Sequence, residues 1–219
     1  MSIVSNDIAV ASYLGGDVVP TLDDAAWSRC ASVPVARYWS GGTAPPARHA
    51  EARVLWTDDL LCVRFDAAQG EPLIINDAPQ TERKTMGLWN RDVCEIFVAP
   101  FADTPHTYFE LEVAPTGEWV DLKVEWTPDE RRTDWNYASG MTVETRIETG
   151  SVKMLMRVGW EAFGVSRPQV GDEWRANFLR CVGVDTADDV RGYLAWQPTY
   201  SATPNFHIPQ AFGRMRFAR

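Results

Sequence analysis

The strongest constraint on the fold is a strict alternation of apolar and polar side chains in two neighbouring segments. Residues 108–113 (YFELEV) and 119–125 (WVDLKVE) both alternate with a period of two, which is the period of a β-strand with one apolar face. The five residues between them include Pro115 and Gly117, which favour a tight turn. The two segments are therefore predicted to form an antiparallel hairpin.

Similar signals recur along the whole chain. Two further hairpins are predicted, one from residues 52–56 and 60–66 and one from residues 142–148 and 152–158. Other strand-like segments are residues 8–14, 93–98, 173–184, 192–196 and 212–217, and short helical turns are expected near residues 22–27 and 160–165. Many short strands with little helix predict an all-β fold, an antiparallel β-sandwich with one or two short helical turns. No repeat or linker divides the chain, so a single domain over residues 1–219 is predicted.

The charge of the chain limits its partners. A net charge of −9 opposes binding to nucleic acid or to an anionic membrane, and it suits a neutral ligand or a cation such as Ca²⁺. No apolar run approaches the ~18 residues of a membrane helix, and the N-terminus lacks the regions of a signal peptide. We therefore expect no nucleic acid and no membrane as partners. The expected location is cytoplasmic, or extracellular or periplasmic if a leader has been removed.

Residues 88–97 (LWNRDVCEIF) combine the groups of a small recognition site. Trp89 stands at the end of a long polar loop, residues 67–87, and is followed by Asn90 and Arg91. An aromatic ring beside groups that form hydrogen bonds can hold a flat, hydroxyl-rich ligand. A loop of that length inside one domain is more often functional than idle.

The alternation of apolar and polar residues also assigns the carboxylates of this region to strand faces. Glu95 shares a strand face with Val93 and Phe97, and a lone charge in an apolar row requires a partner. That partner is either a ligand or a nearby arginine in a structural ion pair. In the hairpin of residues 108–125, Glu110, Glu112, Asp121 and Lys123 are expected to share one polar face, which is either solvated or a functional concave surface.

Residues 88–97 resemble the Trp-x-x-Asp-x-Val-Glu-Ile-Phe type of signature in carbohydrate-binding module family 9 and its family 9-like relatives. Three further segments occur in the order found in that family: residues 22–27 (LDDAAW), residues 52–67 and residues 204–217. The resemblance covers nearly the whole chain. It implies a β-sandwich in which two aromatic rings clamp a sugar, with structural calcium, and members are often appended to glycoside hydrolases.

The resemblance also assigns roles to residues of this chain. Trp89 matches the first clamp residue, Glu95 matches a carboxylate that binds sugar hydroxyls, and the second clamp position falls at or near Phe206, beside His207. Glu110 and Glu112 stand where the best-known members carry Arg and Asn ligands. The usual early Asp-Gly is missing, which leaves Asp23 and Asp24 as calcium candidates.

Together these observations predict non-catalytic carbohydrate binding, in the service of carbohydrate catabolism, with no required cofactor. A separately encoded glycoside hydrolase is a possible partner. The predicted ligand-binding residues are Trp89, Asn90, Arg91, Glu95, Glu110, Glu112, Phe206 and His207.

Two alternatives remain open. One is a hydrolase of O-glycosyl bonds that uses a Glu/Asp pair, since Glu110 and Glu112 are two residues apart and so about 7 Å apart between Cα atoms. The other is an interaction protein with a decayed sugar site, in which Trp89 lies buried under the loop of residues 67–87. The histidines, His49, His106 and His207, are scattered, and no catalytic residue is nominated.

Overall fold

The computed structural model describes residues 7–100, 106–183 and 191–219. These residues form fourteen strands: β1 Ile8–Tyr13, β2 Val33–Val35, β3 Arg37–Tyr38, β4 Ala50–Trp56, β5 Leu60–Ala68, β6 Val93–Ala99, β7 Thr107–Val113, β8 Trp119–Trp126, β9 Arg131–Asp134, β10 Thr142–Glu148, β11 Ser151–Gly159, β12 Glu173–Val182, β13 Gly192–Ala195 and β14 Gly213–Ala218. The helical segments are 3-10 turns, at Ala25–Arg29, Pro46–Arg48, Leu88–Asn90, Trp160–Phe163 and Pro209–Ala211. No helix in the described ranges has the length and apolarity that a membrane crossing needs.

The strands join in one hydrogen-bonded path. Its order is β10-β11-β5-β4-β1-β14-β12-β6-β7-β8-β9, with β2 paired to β4 and with β13 paired to β12 and β3. Val63 and Met154 from one half of the path share the main core with Ile96 and Phe178 from the other half. The sheet therefore curls so that its two halves enclose a common core, and the two-layer sandwich stays a prediction.

The predicted strands are confirmed, but some of them end at other residues than predicted, and the direction of one strand relative to its neighbours is wrong. The strand expected at residues 173–184 ends at Val182, and residue 184 lies outside the described residues. The fully antiparallel arrangement is wrong, because β1 pairs in parallel with both β14 and β4. Local alternation carries no information on strand direction, so this mixed sheet could not be read from the pattern.

The helical turn expected near residues 22–27 is confirmed at Ala25–Arg29. Asp24 accepts a hydrogen bond from the backbone N–H of Ala26 at 2.8 Å, as an N-cap does. Trp27 is buried, and its indole N–H donates to the carbonyl of Thr21 at 2.7 Å. The turn therefore fixes the large indole against the smaller core that contains Leu22.

The expected shared polar face of β7 and β8 is wrong. Paired residues of antiparallel strands lie on one face, and the register pairs Glu110 with Leu122 and Glu112 with Val120. Asp121 pairs with Leu111 and so lies on the opposite face, where its carboxylate contacts the Lys84 ammonium at 2.6 Å. The physical reason is that β7 is buried on both faces over most of its length and β8 is buried on both faces at residues 120–122, so carboxylates lie among apolar side chains on each face.

The long loop between β5 and β6 is held against β8 by one buried carboxylate. Glu118 is fully buried and accepts hydrogen bonds from Asn76 Nδ2 at 2.5 Å and from Thr85 Oγ1 at 3.2 Å. Such charge-assisted bonds are among the stronger ones in proteins. The loop that leads to Trp89 is thereby fixed to the sheet.

Candidate functional site

A cleft of about 250 Å³ opens on the face of β6 and β7 that carries Glu95 and Glu110. Its lining residues come from eight segments of the chain: Trp89, Glu95, Phe97, Glu110, Leu122, Arg131, Thr133, Trp135, Cys181, Tyr193, Pro204, Asn205, Phe206 and His207. Mostly apolar walls with a few convergent polar groups are typical of a small-ligand site. The cleft is therefore the candidate functional site.

Two indoles form one wall of the cleft. The rings of Trp89 and Trp135 are tilted by 43° with their centroids 6.4 Å apart, a distance at which aromatic rings contact each other. Trp135 is 50 % exposed, and Trp89 is partly buried against a second apolar cluster that contains Leu88 and Phe97. The two rings therefore present a joint aromatic surface to the cleft.

The backbone that carries Trp89 is fixed by a buried arginine. Arg191 is 7 % exposed, and its guanidinium donates to the backbone carbonyls of Trp89, Arg91 and Gly183. Asp92, which directly follows Arg91 in the chain, accepts hydrogen bonds from the backbone N–H groups of Gly183 at 2.9 Å and Ile74 at 3.2 Å. These bonds tie the turn that presents Trp89 to the end of β12.

Phe206 and His207 both line the cleft, but Phe206 is only 8 % exposed. Its ring packs edge-on against Tyr193 with centroids 6.1 Å apart. His207 Nδ1 lies 2.7 Å from the Tyr108 hydroxyl, and burial, followed by the charge of Arg131, lowers the pKa of His207 to about 3. His207 is therefore a neutral hydrogen-bonding group of the cleft at physiological pH.

Three carboxyl groups meet on the floor of the cleft. Glu95 pairs with Glu112 across β6 and β7, and Glu110 lies two residues along β7. Each offers a carboxyl oxygen, and these three oxygens all lie within 4.8 Å of one another. The three side chains are at most 4 % exposed, so the charge of this cluster is hardly screened by water.

Burial controls the titration of these groups. It raises the pKa of Glu95 to about 8, with a further contribution from Glu110, and it raises the pKa of Glu110. The pKa of Glu112 is raised well above its ordinary value by burial and by the neighbouring carboxyls. Without a bound cation, the cluster therefore holds protons near neutral pH and can donate as well as accept hydrogen bonds.

The predicted site residues thus fall into two groups. Trp89, Glu95, Glu110, Phe206 and His207 line the cleft, whereas Asn90, Arg91 and Glu112 do not. Asn90 is exposed at the end of the 3-10 turn, the Arg91 carbonyl accepts from Arg191, and Glu112 is fully buried opposite Glu95 on the same face of the sheet. Whether any of these side chains binds a ligand stays a prediction.

The sequence interpretation missed Trp135 and Arg131. Residues 127–140 are not among the predicted strands, but Arg131–Asp134 forms β9 and pairs with β8 at the edge of the sheet. Such a short, polar strand has no apolar alternation to reveal it. A lone tryptophan in a polar stretch was the one available signal.

Asp23 and Asp24 do not fit a calcium site. Both carboxylate oxygens of Asp23 accept from the Arg146 guanidinium, at 2.8 and 2.6 Å, and Asp24 caps the 3-10 turn. A cation would have to displace the arginine from Asp23, and the two aspartates are already engaged with different partners. The calcium expectation at these residues therefore has no support in their geometry.

Asp24→Ala is expected to lower the free energy of unfolding by about 1 kcal/mol, because the N–H of Ala26 loses its side-chain acceptor. Urea denaturation of the variant and the parent measures the difference. Asp23→Ala is the matched control, since it removes only an exposed ion pair and should change little. Equal losses in the two variants would contradict the capping role of Asp24.

The chain belongs to the family described as carbohydrate family 9 binding domain-like, whose model matches residues 20–218. The resemblance seen in the sequence is therefore confirmed. No curated protein matches the chain.

Solved structures of carbohydrate-binding proteins share the fold. A family 9 carbohydrate-binding module from Caldicellulosiruptor kristjanssonii in complex with glucose is 14 % identical with a TM-score of 0.67, and the alignment covers 97 % of this chain and 96 % of that one. The same organism's family 9 module in complex with cellotriose is 14 % identical with a TM-score of 0.65, covering 96 % and 93 %. A Bacteroides uniformis protein with a proposed carbohydrate-binding role is 15 % identical with a TM-score of 0.69, covering 95 % and 99 %.

Proposed function

We propose that the protein binds carbohydrate, without catalysis, in the cleft between the Trp89–Trp135 wall and the carboxyl floor. The observation that carries this proposal is the pairing of a half-exposed aromatic surface with buried, convergent hydrogen-bonding groups, in a member of a carbohydrate-binding family. The apolar C–H face of a pyranose packs on an indole, while its hydroxyls need oriented donors and acceptors. The cleft offers both.

The size of the cleft favours a single sugar unit. Its volume of about 250 Å³ is below the roughly 300–1,000 Å³ of most ligand pockets, so one ring of a glycan fits better than an extended stretch. The complexes of the Caldicellulosiruptor modules with glucose and cellotriose make glucose and its oligomers the first ligands to test. A role in carbohydrate catabolism, beside a separately encoded glycoside hydrolase, is part of this proposal.

The geometry does not favour the hydrolase alternative. Glycoside hydrolysis places two carboxyl groups on either side of the scissile bond. Glu95 and Glu110 project from adjacent strands onto the same floor, and Glu112 is buried on the same face, opposite Glu95. No carboxyl group among the cleft-lining residues that the structure describes faces this floor from the opposite wall.

The decayed-site alternative requires Trp89 to be covered by the loop of residues 67–87. Instead, Trp89 is partly buried on one side and lines the cleft on the other, beside the half-exposed Trp135. Half-exposed tryptophans are unusual on a surface without a binding role, because each ring leaves a large apolar area in water.

Trp89→Ala and Trp135→Ala are each expected to weaken sugar binding at least tenfold, because each removes half of the aromatic wall and buried tryptophans dominate binding energies. Isothermal titration calorimetry of the parent and variants with glucose, cellobiose and cellotriose measures the effect. The titrations are made in buffer with calcium and repeated with a chelator.

Trp119→Ala serves as the control, since Trp119 is a partly buried tryptophan that does not line the cleft, and its loss should leave the affinity unchanged. If the parent binds a sugar and both Trp89→Ala and Trp135→Ala bind it with the same affinity, the sugar binds outside this cleft. A parent that binds no sugar of a broad glycan panel, in either buffer, would refute the proposed function.

A further inference from the structure

Three glutamates cluster at the floor of the cleft, and none of them has an established role. Glu95, Glu110 and Glu112 each point a carboxyl oxygen into one small space, with these oxygens within 4.8 Å of one another. We infer that this space is a calcium site, in which the three carboxylates hold one ion and the ion's open side faces the cleft. The site would take part in the ligand binding proposed above, and that part of the inference rests on the proposed function.

A second observation points to a missing ligand at this place. As carboxylates, which only accept hydrogen bonds, the two oxygens of Glu112 and Oε2 of Glu110 have no donor among the residues that the structure describes, although Glu112 is fully buried. A proton shared between Glu110 and Glu112 would still leave the second oxygen of Glu112 without a partner. A buried polar group without a partner is unfavourable, and more so if it is charged. Native proteins rarely leave such groups without a hydrogen-bond partner, a water molecule or an ion.

The surrounding groups give the cluster little compensation. The Cys181 thiol lies 3.3 Å from Glu95 Oε1, and His207 Nδ1 lies 4.0 Å from Glu110 Oε2. The Arg191 guanidinium is committed to three backbone carbonyls. A divalent cation would balance most of the three negative charges and occupy the unpartnered lone pairs.

The donor atoms select calcium among the common cations. All three are carboxylate oxygens, the hard ligands that calcium and magnesium prefer. Calcium takes six to eight oxygens at about 2.3–2.6 Å in a flexible geometry, and it accepts bidentate carboxylates, whereas magnesium demands a near-ideal octahedron and keeps several waters. The three glutamates bring together one oxygen each, and bidentate binding by their carboxylates would raise the number of protein oxygens toward the six to eight that calcium takes.

The placement of the three residues determines which side of the ion is open. Glu95 and Glu110 line the cleft, whereas Glu112, which lies opposite Glu95 on the same face of the sheet, is fully buried and does not line it. An ion between the three is therefore closed on the side of Glu112 and accessible from the cleft that Trp89 and Trp135 line. Two neighbouring hydroxyls of a sugar stacked on those rings would complete its coordination.

The first experiment uses metal ions alone. Terbium is a luminescent substitute for calcium that is sensitised by nearby tryptophan, so Trp89 and Trp135 are expected to sensitise terbium bound at the floor. We expect a saturable signal with one ion per chain, displaced by calcium, and a thermal unfolding midpoint several degrees higher in calcium than in a chelator.

Glu112→Gln keeps the shape of the side chain, which retains the fold, and is expected to weaken terbium and calcium binding at least tenfold. Glu95→Gln should do the same. Glu125→Gln, on the neighbouring strand β8, is the matched control because its carboxylate is exposed, and it should bind both ions as the parent does. Absence of any metal response in the parent, or equal affinity in Glu112→Gln and the parent, would overturn the calcium site.

The second experiment separates the ion from the proposed function. Sugar affinity is expected to fall at least tenfold when calcium is replaced by a chelator, and Glu112→Gln should show the same low affinity in both buffers. Sugar binding that is equal in calcium and in chelator would overturn the role of the ion while leaving carbohydrate binding intact. Metal binding without any sugar binding would support the ion site and refute the proposed function.

Discussion

In the metal-free protein, the free energy of unfolding is expected to fall as the pH rises from about 6.5 to about 8. Burial raises the pKa of Glu95 to about 8 and that of Glu112 well above its ordinary value of 4.5. In this range the folded chain keeps protons on these groups that the unfolded chain has already released. The folded state therefore binds more protons, and stability falls with pH by about 1.4 kcal/mol per pH unit for each proton retained.

The sign of this dependence is the reverse of that for an ion-paired carboxylate. The contribution of each raised pKa is fully present below about pH 4.5 and is lost as the pH rises through the folded pKa. His207, which faces Glu110, opposes the trend below its unfolded pKa of 6.5, because burial lowers its folded pKa to about 3. Arg131, Arg191 and Cys181 also face the cluster.

Urea denaturation in a chelator at several pH values between about 6.5 and 8 measures this slope. Glu112→Gln cannot take up or release the proton, so its slope should be shallower than that of the parent by up to about 1.4 kcal/mol per pH unit. Glu125→Gln should keep the parent's slope, since that side chain is exposed. A parent slope that is flat, or unchanged in Glu112→Gln, would show that the cluster does not hold extra protons.

Replacing Arg191 with alanine is expected to lower the free energy of unfolding by about 3–5 kcal/mol and to weaken sugar binding. The buried guanidinium donates to the carbonyls of Gly183, Trp89 and Arg91. Its loss leaves buried acceptors without donors, and each costs about 1–3 kcal/mol. It also removes the positive charge that lowers the pKa of Glu95. Because the turn that carries Trp89 loses its anchor, the aromatic wall loses its fixed position.

Arg191→Lys separates the loss of the hydrogen bonds to the backbone carbonyls from the loss of the positive charge. It keeps the positive charge, but a single ammonium cannot donate to three carbonyls in the geometry of a planar guanidinium, so binding should remain impaired while part of the stability returns. Arg37→Ala is the control, because Arg37 is a partly buried arginine outside the cleft that donates to the Trp196 carbonyl at 3.1 Å. Calorimetry with cellotriose and urea denaturation measure both quantities. Unaltered sugar affinity in Arg191→Ala would contradict the anchoring of Trp89.

Much of the fold was predictable because strand formation depends on local alternation. The hairpin of residues 108–125, the turn that buries Trp27, and the face assignment of Glu95 all follow from the spacing of apolar residues along the chain. Strand β9 was missed because its four residues are polar and lie at the sheet edge. Strand direction was also missed, since β1 obtains its two parallel neighbours from distant parts of the chain.

The sequence by itself determined that the chain is an all-β member of its family, that Trp89 ends the long loop, and that Glu95 is a single charge in an apolar row. Only the tertiary structure placed Trp135 beside Trp89, with 6.4 Å between ring centroids, and left Phe206 only 8 % exposed in the wall of the cleft. It also brought Glu95 together with Glu110 and Glu112 and placed Asp121 on the opposite face. The physical reason is that alternation sets the two faces within one strand. Strand pairing and register, which bring distant residues together, depend on packing across the whole sheet.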